Sequence, residues 1–187
     1  GAALVVLAPP DLATPLREER FDAPVTAVAA NGRTLAVATQ DGVVAIGSRF
    51  GAPLGVRIRL GEPAARLHVA PGGDRLLAVA ASQRAWIANR EGEVVDTHVW
   101  LRFGRAAFVR RDLVVHGAAG EPALFALFLP PQTSAPFLDS GIGVGALAAS
   151  VASERVAVAF GANLHLTGPV GPHAQAVGAA RLVDGRR

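Results

Sequence analysis

Cysteine, methionine, tyrosine and lysine are all missing from the 187 residues. Without cysteine there are no disulfides and no thiolate metal sites, and cysteine usage gives no clue to a redox compartment. Without lysine every one of the 18 basic residues is an arginine. The isoelectric point of 11.1 therefore overstates the basicity, because nothing buffers the alkaline range. The formal net charge is only +3, too mild a bias to specify a polyanion partner. Long apolar runs are missing too: no stretch of about 18 residues is free of charges and turn breaks, so no membrane span is expected. The opening "GAALVVLA" is apolar but short and follows no basic region, so it reads as a strand rather than a leader. A cytoplasmic location is favoured, with the periplasm open if a leader was removed. The absent initiator methionine is compatible with processing, a tag remnant or a fragment.

What is present is a chain 51% hydrophobic and 18% charged, which excludes disorder and suits a well-buried globular fold. Alanine, glycine, valine, arginine and proline dominate, as in proteins from GC-rich bacterial genomes. The pattern repeats. "VTAVAANGRTLAVATQDGVVAIG" (25–47) matches "ARLHVAPGGDRLLAVAASQRAWIAN" (65–89) element for element. Each has an apolar strand, a Gly-containing turn, a second strand ("TLAVAT", "LLAVAA"), a polar break and a third strand. An alternating fourth strand follows, "LGVRIRL" or "EVVDTHVWL". A third copy starts at Arg105 and a fourth near Gly145, with second strands at Leu113 and Val156. The period is about 40 residues, the length of a four-stranded antiparallel sheet with tight turns.

One such sheet cannot bury both its faces, and stacking successive sheets solves this. Runs such as "LAVAT" lack polar alternation because both faces are covered, and alanine permits close sheet-to-sheet approach. The fold class expected is all-β, a β-propeller or propeller segment of about four blades. The approximate repeats are 22–61, 62–103, 104–141 and 142–187 within one domain, with 1–21 an N-terminal strand and linker. On "APGGDRLLAVA" and "ANGRTLAVATQDGVVAIG" the unit resembles WD40-like, YVTN-like and PQQ-like β-propeller repeats. It lacks the Gly-His pair and Trp-Asp dipeptide of WD40 repeats, with Ala88-Asn89 roughly where Trp-Asp would stand. It also lacks the tryptophan docking motif of quinoproteins, so the resemblance transfers no catalytic residues. Four repeats make either a small closed ring or part of a larger one. The apolar N-terminal strand favours the part, closing a blade with "AQAVGAARLV" near the C-terminus or with another chain.

Candidate chemistry is sparse. Gly141, Gly143 and Gly145 in "DSGIGVGALAAS" lack dinucleotide spacing and read as a connection between blades. His68, His98, His116, His165 and His173 form no metal-ligand spacing, and no Ser-His-Asp set can be chosen. Asp41, Asp74, Asp112 and Asp139 sit in or beside turns, where carboxylates bond to the backbone. "WLRFGRAAFVRR" interleaves Trp100, Phe103 and Phe108 with Arg102, Arg105, Arg110 and Arg111. Guanidinium forks fit carboxylates and phosphates, and aromatic faces stack bases. The alternative reading packs the aromatics between blades and leaves the arginines solvated. Arg57 and Arg59 share one face of an exposed outer strand. In "LFALFLPPQTSAPFL", Phe125, Phe128 and Phe137 are core or partner-facing, and Pro130, Pro131 and Pro136 enforce an extended loop.

The function these observations favour is a non-enzymatic protein-protein interaction or scaffold module within a larger assembly. No cofactor, metal or catalytic residue is expected. Partner-binding candidates are Arg102, Arg105, Arg110, Arg111, Phe125, Phe128 and Phe137. The alternatives are a ligand-binding or enzymatic propeller with a site at its axial funnel, and arginine-mediated binding to nucleic acid or an acidic partner.

Overall fold

The computed structural model describes residues 2–7, 15–50, 53–98, 103–129, 133–139, 143–150, 152–161, 163–167 and 179–181. Every regular element among them is a β-strand. The chain divides into two compact units, Gly1–Val99 and Trp100–Arg187. No helix among the described residues is long and apolar enough to cross a membrane.

The first unit opens with an antiparallel pair, β1 (Ala2–Leu7) and β2 (Pro15–Phe21). Two four-stranded antiparallel sheets follow. The first contains β3 (Val25–Asn31), β4 (Thr34–Thr39), β5 (Val43–Ser48) and β6 (Val56–Arg59), hydrogen-bonded in chain order. The second contains β7 (Ala64–Val69), β8 (Arg75–Ala80), β9 (Ala85–Asn89) and β10 (Val94–His98), also in chain order. The turns between strands carry the glycines that the geometry demands. Gly42 and Gly92 sit at φ +77° and +92°, in the left-handed region that side chains resist.

The two sheets stack through small residues. Ala36, Ala38, Val44 and Ile46 of one meet Ala78, Ala80, Trp86 and Ala88 of the other in a single buried cluster. Trp86 is the aromatic residue of this cluster, 5% exposed, and packs between the sheets with Ile46, Leu67 and Leu76. Alanines around it keep the strands close while the indole fills the space left over. The opposite face of the first sheet, with Leu35, Val37 and Ala45, is covered by Phe21, Leu4 and Val6 of the β1–β2 pair. This explains why β4 is buried at Leu35 through Thr39, on both faces.

Side-chain hydrogen bonds tie the sheets at equivalent places. Thr26 Oγ1 donates to the Ala64 carbonyl (2.7 Å), Asn31 Nδ2 to Val69 (3.3 Å) and Thr34 Oγ1 to Gly73 (2.7 Å). Their separations of 38, 38 and 39 residues are close to the repeat period, so each bond joins a position to the matching region of the next copy.

The second unit holds two more such sheets. One contains β11 (Arg105–Arg110), β12 (Leu113–Gly117), β13 (Ala123–Phe128) and β14 (Thr133–Asp139). The other contains β15 (Val144–Ser150), β16 (Arg155–Phe160), β17 (Asn163–Leu166) and β18 (Ala179–Arg181). Their interface is bulkier, with Val109, Leu113, Val115 and Leu124 against Val156, Val158 and Phe160. Gly143 permits a close approach here, since a Cβ would lie 2.7 Å from the Gly120 carbonyl oxygen.

Two expectations change. Pro136 does not lie in a loop. It belongs to β14, opposite Phe125, beside a register shift. The strand is the last of its sheet, where a residue without an N–H costs no ladder bond on the open side. Of the C-terminal "AQAVGAARLV", the described residues Ala179–Arg181 pair with β17, and β1 pairs with β2. Pro15–Phe21, read as linker, is a strand whose inward positions Arg17 and Glu19 are charged and paired with each other. Pro130, Pro131, Gly141 and His173 lie outside the described residues.

Candidate functional site

The arginines read from "WLRFGRAAFVRR" are not brought together. Arg102 and Trp100 lie outside the described residues. Arg105 and Arg110 stand at opposite ends of β11, about 16 Å apart along an extended strand. Arg105 Nε donates to the Gly145 carbonyl (3.0 Å) and Nη1 to Gly104 (2.9 Å). Arg110 Nε meets Asp112 Oδ1 at 2.8 Å and Nη1 meets Glu154 Oε2 at 3.5 Å. Both guanidinium groups thus serve the chain itself, joining β11 to its neighbours. Arg111 is exposed on the β11–β12 turn.

Phe125 is half-buried and stacks on His116, with ring centroids 5.8 Å apart. His116 also stacks with Phe103 at 4.2 Å and is itself buried. Phe128 and Phe137 lie in β13 and β14, but their side chains are outside the described set. The glycines of "DSGIGVGALAAS" lead into strand β15 and not into a helix, so a dinucleotide loop has no helix to open. Among the described residues no three His, Asp or Glu side chains gather as a metal would require.

A groove in the first unit has more to offer. In the β5–β6 ladder Arg57 faces Ala45 and Arg59 faces Val43. Directly opposed residues share a face, so both arginines rise on the side that the β1–β2 pair covers only in part. Beyond the edge of that cover lies a cavity of about 550 Å³. Phe21, Thr39 and Val43 line its apolar side, and Asp22, Asp41, Arg57 and Arg59 supply its charges. Among the described residues strand β6 is the last of its sheet, so one row of its backbone groups faces away from β5.

The charges are ordered. Thr39 Oγ1 lies 2.6 Å from Asp41 Oδ1 and 3.0 Å from the Val43 carbonyl oxygen, which pins the β4–β5 turn. That hydroxyl bond holds the Asp41 carboxyl below the usual carboxylate range, with Asp41 and Val43 backbone N–H groups and the Arg59 charge acting the same way. Arg57 and Arg59 are exposed and make no hydrogen bond or close ion pair among the described residues. The groove therefore combines an open strand edge, two alternating cations and a fixed carboxylate. The only hint of it in the sequence is the "RIRL" alternation, because Asp22 and Asp41 come from distant turns.

No family model matches the chain, and no curated protein matches it in sequence. Its fold does have solved counterparts. A chain in the crystal structure of a mitotic checkpoint complex superposes with a TM-score of 0.68 at 16% identity. The match covers 92% of this chain and 59% of that one. Four-stranded antiparallel sheets of about 40 residues, stacked in pairs within each unit, together with the likeness to that solved chain define a β-propeller-like all-β fold. The present chain has an all-β fold, a β-propeller or propeller segment with four such sheets among the described residues.

Proposed function

We propose that this chain is a non-enzymatic interaction module that grips an extended protein segment along the β6 groove. The observation that carries the reading is the coincidence of an open strand edge with Arg57 and Arg59 alternating above a 550 Å³ cavity. An added strand would gain main-chain hydrogen bonds from β6, while its alternate side chains would meet the arginines and Asp41. The rigid double-faced packing of β4 and β5 beneath keeps the edge in place without a partner. The structural neighbour belongs to a protein complex, which suits the same reading.

Isolating the chain from its source cells under native conditions tests this. A stoichiometric protein partner, lost when Arg57→Glu and Arg59→Glu are combined, is the expected result. A monomer carrying a stoichiometric metal or small-molecule cofactor would refute the proposal. So would a partner indifferent to both reversals.

A further inference from the structure

The first unit has a second cavity, of about 390 Å³, at the end of the interface between its two four-stranded sheets. Thr34, Ile46, Gly47 and Ser48 line it, and its charged residues are Arg33 and Arg90, both cations. We infer that this cavity binds a carboxylate side chain of an acidic protein segment, held between Arg33 and Arg90. The inference rests on the interaction-module reading and names a second contact for its partner.

The two arginines come from different sheets, yet their backbones are locked together. Arg33 precedes Thr34, whose Oγ1 donates to the Gly73 carbonyl at 2.7 Å. Gly73 precedes Asp74, whose carbonyl accepts from the Arg90 N–H at 3.2 Å. The Arg49 N–H adds a 2.7 Å bond to the Arg33 carbonyl. The two backbones are thus held side by side before any ligand arrives, so only the side chains are left to order on binding.

The guanidinium groups are available. Arg33 has no side-chain partner among the described residues. Arg90 uses Nε on Glu91 Oε1 at 3.0 Å, in a pair exposed at 68% and 62%, and keeps its terminal nitrogens. An ion pair that exposed is readily exchanged for a better-held carboxylate.

The walls select among anions. The hydroxyls are already committed, Thr34 to Gly73 and Ser48 to the Phe50 carbonyl, so the charged donors are the two forks. Two forks suit one planar carboxylate, and Ile46 with Gly47 offers an aliphatic surface to its methylene stem. A phosphodiester backbone would need a longer track of cations, which a chain of net charge +3 does not supply here.

Titration calorimetry of the full chain with a capped hexaglutamate peptide tests the inference. Saturable binding that weakens with added salt is expected, reduced at least about tenfold in the Arg33→Gln/Arg90→Gln double variant. Arg155→Gln, at the exposed start of β16, should bind like the parent. Circular dichroism checks folding, and the single variant Arg33→Gln removes a side chain with no internal bond should the double variant misfold. No binding of hexaglutamate, equal binding by the variants, or preference for inorganic phosphate or a single-stranded oligonucleotide would each overturn the inference. A native partner released by the Arg57/Arg59 reversals but held equally by Arg33→Gln/Arg90→Gln would overturn it too, and leave the interaction module standing.

Discussion

Gly73 shows how one residue can fix two sheets. Its φ of +76° disfavours any side chain, and a Cβ there would lie 2.5 Å from Thr34 Oγ1. Gly73→Ala should therefore cost about 1–3 kcal/mol in urea unfolding. Thr34→Val, which removes the hydroxyl donated to Gly73, should cost about 1 kcal/mol. The two losses should not add, because both act on the same contact. His68 on β7 makes a different residue-scale prediction. Its Nε2 is buried with no hydrogen-bond partner among the described residues. Burial, and secondarily the charge of Arg66, lowers its pKa below the ordinary 6.5. The unfolded chain then binds the proton more readily than the folded one. Stability is complete above pH 6.5 and falls as the pH drops from there toward the folded pKa. Urea midpoints measured from pH 8 to pH 5 should decline across that window, and His68→Gln should flatten the decline.

At the scale of elements, the stacking of β3–β6 on β7–β10 combines alanines with larger aliphatic residues and one indole, Trp86. Trp86→Ala should destabilise by about 3–5 kcal/mol, since a buried indole is lost from the cluster and the paired strands around it cannot collapse into the space. Ala78→Leu tests the opposite error. Ala78 is 2% exposed on the central strand β8, and added volume has nowhere to go, so about 1–3 kcal/mol should be lost. Both are read from denaturant unfolding with unchanged slope. These strands were legible in the sequence because their signals are local: Gly and Asn turns bounding short runs of Ala, Val and Leu. β2 was not, because Arg17 and Glu19 occupy its inward positions and erase the apolar alternation that marks a strand. β14 was hidden by Pro136, whose placement is acceptable only on an outermost strand.

For the whole molecule, arginine is the only side chain with a permanent positive charge, and the fold sorts its copies by use. Arg105 and Arg110 are spent on internal bonds, whereas Arg33, Arg57 and Arg59 are exposed with no bonded partner among the described residues. An arginine-directed dicarbonyl reagent should modify Arg33, Arg57 and Arg59 before Arg105 and Arg110, as peptide mass mapping would show. Simultaneous modification of all five would contradict the assigned bonds. Amine-directed cross-linkers have no lysine to attack, so partner mapping on this chain requires carboxyl- or arginine-directed chemistry.

The sequence by itself determined the strands, their turns and the period of about 40 residues, because each follows from interactions within a few positions of the chain. It also determined that sheets must stack, since alanine-rich strands without polar alternation have two faces to bury. Only the tertiary structure decided which arginines remain available and what stands beside them. Arg33 meets Arg90 through Thr34, Gly73 and Asp74, and Arg57 and Arg59 meet Asp22 and Asp41 through strand register and the covering β1–β2 pair. Those meetings depend on how one repeat seats on the next, and no window of the sequence as short as a strand contains both partners.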